Sequence, residues 1–321
     1  MRGRPFVVLT AILWCFSIAS AADYPARPIV FIVPFAAGGP TDALGRMLAE
    51  RMGGILGQPI IIENVAGAAG SVGVGRVVRA APDGYTMSVG NWNTHVLNGA
   101  IYSLGYDLVG DMEPVALLPF GPQLIVARKD VPANNLADLV AWLKGRDATV
   151  GTSGVGSAAH VSALLFEKET GAKFTFVHYR GAAPAMNDLV GGHIDLMFDQ
   201  AANSLSHVNA GAIKSYAVTS ATRLKSAIDI PTVDEAGLPG FYVSVWFGLW
   251  APRGTPEGIV AKLSAAVRET LADPAIQEKL AKGGQSVPPL DQMSPGALKA
   301  MQAAEIAKWW PILRSANVKA E

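Results

Sequence analysis

Short runs of apolar, mostly β-branched residues alternate with amphipathic segments along this chain of 321 residues. The run Ile29–Val33 contains no polar residue and ends at a proline, which is typical of a strand buried on both faces. The apolar positions that follow have helical spacing, and we expect the N-cap of that helix at Thr41 or Asp42. A later helix is expected to begin near Pro184. The alternation predicts an α/β fold with mostly parallel sheets and ligand sites at the carboxyl ends of the strands.

The chain length fits about two domains, although the composition shows no sharp linker. We expect the chain to cross between two lobes near residues 119–122 and again near 240–245. The first lobe would then be discontinuous, with residues 23–121 plus 243–321, and the second lobe would hold residues 122–242. Two crossings suit a hinge around a ligand cleft.

Residues 1–22 are expected to be a signal peptide. A basic start is followed by an apolar run over 6–18 and by small residues, and cleavage is expected after Ala21 or Ala22. The apolar run is too short to span a bilayer, and a buried N-terminal helix is the alternative interpretation. The single cysteine, Cys15, would leave with the signal, so the mature chain would have no disulfide and no cysteine-based zinc site. We therefore expect export to the periplasm.

The charge balance excludes some classes of partner. Basic and acidic residues number 26 each, so no net charge draws the chain to nucleic acid or to an anionic membrane. The five histidines have no metal-ligand spacing, and His193 with Asp195 is better explained as a solvated pair. No metal, cofactor or nucleic-acid partner is therefore expected.

Three strand-to-helix turns are rich in small residues, at 35–42, 152–160 and 179–184. The first N–H groups of a helix have no intrahelical partner, and the helix dipole adds positive potential there. Glycine lets an anion approach the backbone, so a carboxylate or phosphate is the natural ligand. One such turn is more often structural, but three in one chain favour an anion site. Thr94 and His95 follow another predicted strand and are expected to reach the same cleft.

Two enzyme interpretations stay open at this level. Residues 154–159 fit a dinucleotide fingerprint, but no acidic residue closes the next strand, where Arg180 would instead suit the 2′-phosphate of NADP. Residues 151–155 resemble a nucleophile elbow around Ser153, with Val155 in place of the last glycine. The chain has no P-loop and no clear catalytic constellation, so a binding protein without enzymatic activity is the leading hypothesis.

Seven motifs, in order through the mature chain, resemble the Bug family of periplasmic solute-binding proteins, the receptors of tripartite tricarboxylate transporters. They are Pro34-Phe35-x-x-Gly38-Gly39-x-x-Asp42, Asp83-Gly84-Tyr85, Gly154-x-Gly156-Ser157-x-x-His160, Tyr179-Arg180-Gly181-x-x-Pro184, Gly191-Gly192-x-x-Asp195, Pro231-Thr232-x-x-Glu235-Ala236-Gly237 and Trp246-x-Gly248-Leu249-x-Ala251-Pro252. The resemblance implies a two-lobed Venus-flytrap fold that closes on a small carboxylate. It also implies no catalysis, no cofactor, a monomer and delivery of the ligand to the membrane subunits of such a transporter.

The resemblance further implies that backbone amides and waters of the three turns hold one carboxylate. The ligand-binding residues expected from these turns and from neighbouring strand ends are Phe35, Gly38, Gly39, Thr41, Asp42, Thr94, His95, Thr152, Ser153, Gly156, Ser157, His160, Tyr179, Gly181, Ala182 and Asp199. His178, Arg180, Trp92 and the segment 201–204 depart from the family pattern and are expected to set the far end of the pocket, with Trp246 as a cleft wall. The sequence leaves open whether the ligand is aliphatic, aromatic or an amino acid, and whether the protein serves transport or sensing.

Overall fold

The computed structural model describes residues 24–316, 318 and 319, so the predicted signal peptide lies outside the described residues. The strands are β1 (Ile29–Val33), β2 (Ile60–Asn64), β3 (Thr86–Asn91), β4 (Met112–Arg128), β5 (Ala148–Thr152), β6 (Phe174–His178), β7 (Leu196–Gln200), β8 (Ile213–Val218) and β9 (Ser244–Pro252). The α-helices are α1 (Pro40–Leu56), α2 (Ser71–Val78), α3 (Asn98–Ile101), α4 (Leu136–Leu143), α5 (Ala158–Thr170), α6 (Ala182–Val190), α7 (Ala201–Asn209), α8 (Glu257–Ala272), α9 (Pro274–Lys282) and α10 (Pro295–Ser315). Within this part of the chain, no helix has the length and apolar character needed to cross a membrane.

The strands form two sheets that share β4. In the first lobe the order is β2-β1-β3-β9-β4, and in the second lobe β4 continues beside β7, β5 and β6, with β8 on its other edge. β4 pairs with β9 as far as Pro122 and with β7 from Gln123 onward. The pairs among β1, β2 and β3 and among β5, β6 and β7 are parallel, whereas all pairs of β4 and β9 are antiparallel.

Two helix starts differ from the sequence prediction. The N-cap of α1 is Gly39 rather than Thr41 or Asp42, because Pro40 takes the first helical position, where its missing N–H costs nothing. The Asp42 carboxylate instead accepts the N–H of Gly38 at 2.9 Å. Helix α6 begins at Ala182, two residues before the proline expected to start it.

The sequence analysis also missed β4, the longest strand at 17 residues. Its prolines at 114, 119 and 122 are the reason, since proline usually marks an edge or an interruption in a sheet. The pairing with β9 shifts register between Pro114 and Ala116 and again between Leu117 and Phe120. These irregularities let one strand carry the prolines and still run from one lobe into the other.

Candidate functional site

The turn after β1 faces the turn after β6 across the space between the lobes. The Ala36 N–H donates to the Arg180 carbonyl at 3.2 Å. A Cβ on Gly39 would lie 3.9 Å from the amide nitrogen of Ala182. Helices α1 and α6 therefore begin opposite each other, and neither has a side-chain N-cap. Their first-turn N–H groups have no intrahelical acceptors.

A cavity of about 30 Å³ lies between these turns. Its walls combine small, polar and two aromatic residues: Phe35, Gly39, Pro40, Thr41, Asn91, Asn93, Gln123, Ser153, Ser157, Ala158, Ala159, Ala182, Phe198, Asp199 and Gln200. Among these residues, Asp199 is the one with an ionisable side chain. The cavity thus brings together Phe35, Gly39, Thr41, Ser153, Ser157, Ala182 and Asp199 from the set predicted from sequence.

Gly38 and Asp42 do not line the cavity but shape the first turn. Besides the Gly38 N–H, the Asp42 carboxylate accepts hydrogen bonds at 2.9 Å from Arg46 and from the Asn64 side chain. Burial opposes ionisation of Asp42, but these hydrogen bonds outweigh it and lower the pKa of the carboxyl group. An ionised Asp42 therefore fixes the backbone that leads to α1.

A neutral imidazole fixes the second turn. His160 Nδ1 accepts the Gly156 N–H at 2.8 Å, and the His160 ring packs edge-to-face on Phe176 with centroids 4.5 Å apart. Burial, followed by the charge of His178, lowers the pKa of His160 to about 4. Ser157 caps α5 by accepting the His160 N–H at 3.3 Å, and its hydroxyl lines the cavity. His160 and Gly156 therefore do not line the cavity but hold the turn that carries Ser157.

Thr152, Tyr179 and Gly181, also predicted from the second lobe, do not line the cavity. Thr152 Oγ1 is 2.6 Å from His178 Nδ1, and the Thr152 carbonyl accepts the Tyr179 N–H at 2.9 Å. The Tyr179 hydroxyl donates to Asp188 at 2.6 Å. Gly181 is the N-cap of α6.

The structure does not bring His95 into the cavity. Its ring is fully buried and stacked on Trp250 with centroids 3.6 Å apart, and burial lowers its pKa to about 3. Thr94 is also fully buried, and its hydroxyl accepts the Asn91 N–H at 3.0 Å. Both side chains therefore support the end of β3. The His95 ring lies outside the cavity because a flat ring packs better on the buried indole of Trp250 than in a polar space.

Four polar residues line the cavity that were not among the predicted ligand-binding residues, namely Asn91, Asn93, Gln123 and Gln200. Asn93 donates to the Ala69 carbonyl at 2.7 Å. The Gln123 side-chain oxygen accepts the Ser162 hydroxyl at 2.5 Å. Asn91 ends β3 and Asn93 follows it, so both lie at the carboxyl end of a strand, whereas Gln123 lies inside the unrecognised strand β4.

The two tryptophans expected at the pocket lie elsewhere. Trp92 and Trp246 line a separate open groove of about 1320 Å³, and Trp92 packs edge-to-face on Trp309 with centroids 4.9 Å apart. This groove contains none of the three small-residue turns. Neither tryptophan lines the cavity between the turns. Arg180 is exposed and contributes its backbone carbonyl to the contact between the turns.

The enzyme interpretations find little support in this geometry. A Cβ on Gly154 would meet the Ala69 backbone at 3.2 Å, which leaves no room for a pyrophosphate beside that turn. Among the described residues no hydrogen bond joins Ser153 to a histidine, and the Nδ1 atoms of His160 and His178 contact Gly156 and Thr152. Within residues 24–316, neither a dinucleotide site nor a nucleophile–base pair is formed.

Two α/β lobes that share a long strand and enclose a polar cavity define a bilobal solute-binding protein of the periplasmic type. Residues 44–318 match the family described as "Tripartite tricarboxylate transporter family receptor". The chain belongs to this family, whose members are receptors and not enzymes. The predicted family, fold class and lack of enzymatic activity are confirmed.

Three solved structures are similar over nearly the whole chain. The periplasmic binding protein BugD is 38% identical, with 92% of this chain and 100% of BugD covered and a TM-score of 0.89. MatC from Rhodopseudomonas palustris, solved with bound malate, is 40% identical, with 90% and 100% covered and a TM-score of 0.87. A second R. palustris protein, solved with adipate, is 34% identical, with 93% and 100% covered and a TM-score of 0.88.

Proposed function

We propose that this protein is a periplasmic receptor that binds a small organic acid between its lobes and delivers it to the membrane subunits of a tripartite tricarboxylate transporter. The observation that carries the proposal is the pair of opposed helix starts without side-chain caps, from which Gly39 and Ala182 line a cavity whose walls include no lysine or arginine. We define the anion pole of the cavity as Gly39, Thr41, Ser157 and Ala182.

Backbone N–H groups of the anion pole would hold one ligand carboxylate. Each hydrogen bond to a charged group contributes about 1.5–3 kcal/mol, and the dipoles of the two helices favour the negative charge. Malate and adipate bound to two relatives support a ligand of this class. Such a site needs no fixed cation, which agrees with the exposed position of Arg180.

The lobes proposed for closure are residues 23–121 plus 243–321 and residues 122–242, after removal of a signal peptide of residues 1–22. The change of partners of β4 between Pro122 and Gln123 supports the first boundary. The Val243 N–H, which donates to the Thr219 carbonyl at 3.1 Å just before β9, supports the second. We propose that the receptor acts as a monomer.

A thermal-shift panel tests the proposal. Butanoate, succinate, malate, adipate, benzoate and glutamate are added to the mature protein, and inorganic phosphate serves as the non-carboxylate anion. A ligand present at 100 times its Kd stabilises the folded state by about 2.7 kcal/mol, so at least one carboxylate should raise the melting temperature by several degrees. Phosphate alone raising it, with every carboxylate inert, would contradict the proposal.

Two glycine variants locate the site in the same assay. Gly39→Val places methyl groups against the amide of Ala182 and should abolish the ligand-induced shift. Gly54→Val is the matched control on α1, because a Cβ there meets nothing within 4 Å, and it should keep the shift. An equal shift in both variants would place the carboxylate elsewhere.

A further inference from the structure

A second group of polar residues lines the cavity from outside the three small-residue turns. We define the distal pole as Asn93, Gln123 and Asp199, all of which line the cavity and are almost completely buried. Asn93 follows β3, the neighbour of β1, while Asp199 lies on β7, two strands from β6. With strands about 4.8 Å apart, the two poles are separated by roughly 5–10 Å. A short-chain acid can therefore reach both poles at once.

The distal pole contains hydrogen-bond acceptors that a ligand could pair with by supplying a donor. The Asn93 side chain donates an N–H to the Ala69 carbonyl at 2.7 Å. Its buried Oδ1 has no hydrogen-bond partner in the described structure. A buried acceptor of this kind costs free energy until it is paired. Asp199 is a second acceptor on the opposite lobe.

Asp199 has polar neighbours but no counter-ion. Its carboxylate accepts the Ser204 hydroxyl at 2.6 Å and the Asn203 amide at 2.7 Å. The described strands and helices packed on β7, namely β4, β5, α5, α6 and α7, direct no charged side chain at it. His160 on α5 accepts the Gly156 N–H, and Asp188 on α6 accepts the Tyr179 hydroxyl. Burial raises the pKa of Asp199 to about 6, against the hydrogen bonds that favour its ionised form. An anionic group placed against an ionised Asp199 would be repelled.

Gln123 supplies the complementary group. Its Oε1 accepts the Ser162 hydroxyl at 2.5 Å, so the part of the side chain left to contact a ligand is the amide nitrogen, which is a donor. The distal pole thus offers two acceptors and one donor. An O–H group both donates and accepts, whereas an ammonium group only donates.

We infer that the distal pole selects acids whose far end carries an O–H group, either a hydroxyl or a carboxyl group that keeps its proton. The inference rests on the proposed function, since the other end of the acid must occupy the anion pole. It separates three kinds of ligand: hydroxy acids bind without a change in protonation, dicarboxylates bind with uptake of a proton, and plain alkanoates leave the distal acceptors unpaired.

Isothermal titration of the full mature protein at pH 8 tests the inference. The probes are butanoate, 4-hydroxybutanoate, succinate and 4-aminobutanoate, with the corresponding six-carbon series as a check on length. 4-Hydroxybutanoate should bind about tenfold to a hundredfold more tightly than butanoate, the effect of one hydrogen bond to a charged group. Titration of succinate in buffers of different ionisation enthalpy should show uptake of about one proton.

Asp199→Asn should abolish proton uptake and make succinate affinity independent of pH between 6.5 and 8.5. Asp229→Asn is the control, because Asp229 is exposed and outside the cavity, and it should behave as the wild type. Equal affinity for butanoate and 4-hydroxybutanoate, succinate binding without proton uptake, or tighter binding of 4-aminobutanoate would overturn the inference. Binding of butanoate in those cases would leave the proposed function intact, and loss of all binding would contradict both. The ligand comparison uses the wild type, so it holds even if Asp199→Asn folds poorly.

Discussion

Ser157→Ala offers a test in which affinity and stability can be separated. The Ser157 hydroxyl caps α5 by accepting the His160 N–H at 3.3 Å, and its own hydrogen is free to donate into the cavity. Loss of an N-cap costs about 1 kcal/mol of folding stability. Loss of one hydrogen bond to a bound carboxylate costs a further 1.5–3 kcal/mol of binding free energy, or about tenfold to a hundredfold in Kd.

Ser294→Ala is the matched control. Ser294 caps α10 with the same geometry, accepting the Ala297 N–H at 3.2 Å, but it does not line the cavity. Urea unfolding should show a similar loss of about 1 kcal/mol in both variants. Isothermal titration with the tightest acid of the panel should show weaker binding for Ser157→Ala alone. If the two variants bind equally well, the Ser157 hydroxyl does not contact the carboxylate and the anion pole is wrongly assigned.

Three further predictions concern charge, motion and pH. Arg180→Ala should change the affinity for a carboxylate less than threefold, since Arg180 is exposed, and loss of binding in titration would show a direct ion pair. Solution scattering should give a smaller radius of gyration with saturating ligand, and an unchanged radius despite proven binding would argue against hinge closure. Asp199→Asn should stabilise the ligand-free protein increasingly from pH 4 to pH 7. The folded pKa of Asp199, about 6, lies above the unfolded value of 3.8, so the wild type loses stability as pH rises through that range, by roughly 3 kcal/mol. A difference in unfolding free energy between variant and wild type that does not vary with pH would refute this assignment.

The sequence predicted most of the α/β pattern because buried parallel strands and amphipathic helices have distinct periodicities. The prediction for Ile29–Val33 matched β1. Prediction from the sequence failed at β4, where three prolines imitate a loop. Register shifts absorb those prolines, and such shifts depend on the partner strand β9, which lies more than a hundred residues away.

The candidate site was only partly predictable. Glycine-rich helix starts are local features, so Gly39 and Ser157 were recognised from the sequence. The partition of polar side chains between cavity and core depends on tertiary packing. His95 stacks on Trp250, whereas Asn93, two residues earlier, lines the cavity. No pattern within the sequence distinguishes these two fates.

A crystal structure of the mature protein with its tightest carboxylate tests the account most directly. The account predicts closed lobes, with one carboxylate within about 3 Å of the backbone nitrogens of Thr41 and Ala182 and no side chain of lysine or arginine in contact. A carboxylate paired with Arg180, or bound in the groove beside Trp92 and Trp246, would contradict it.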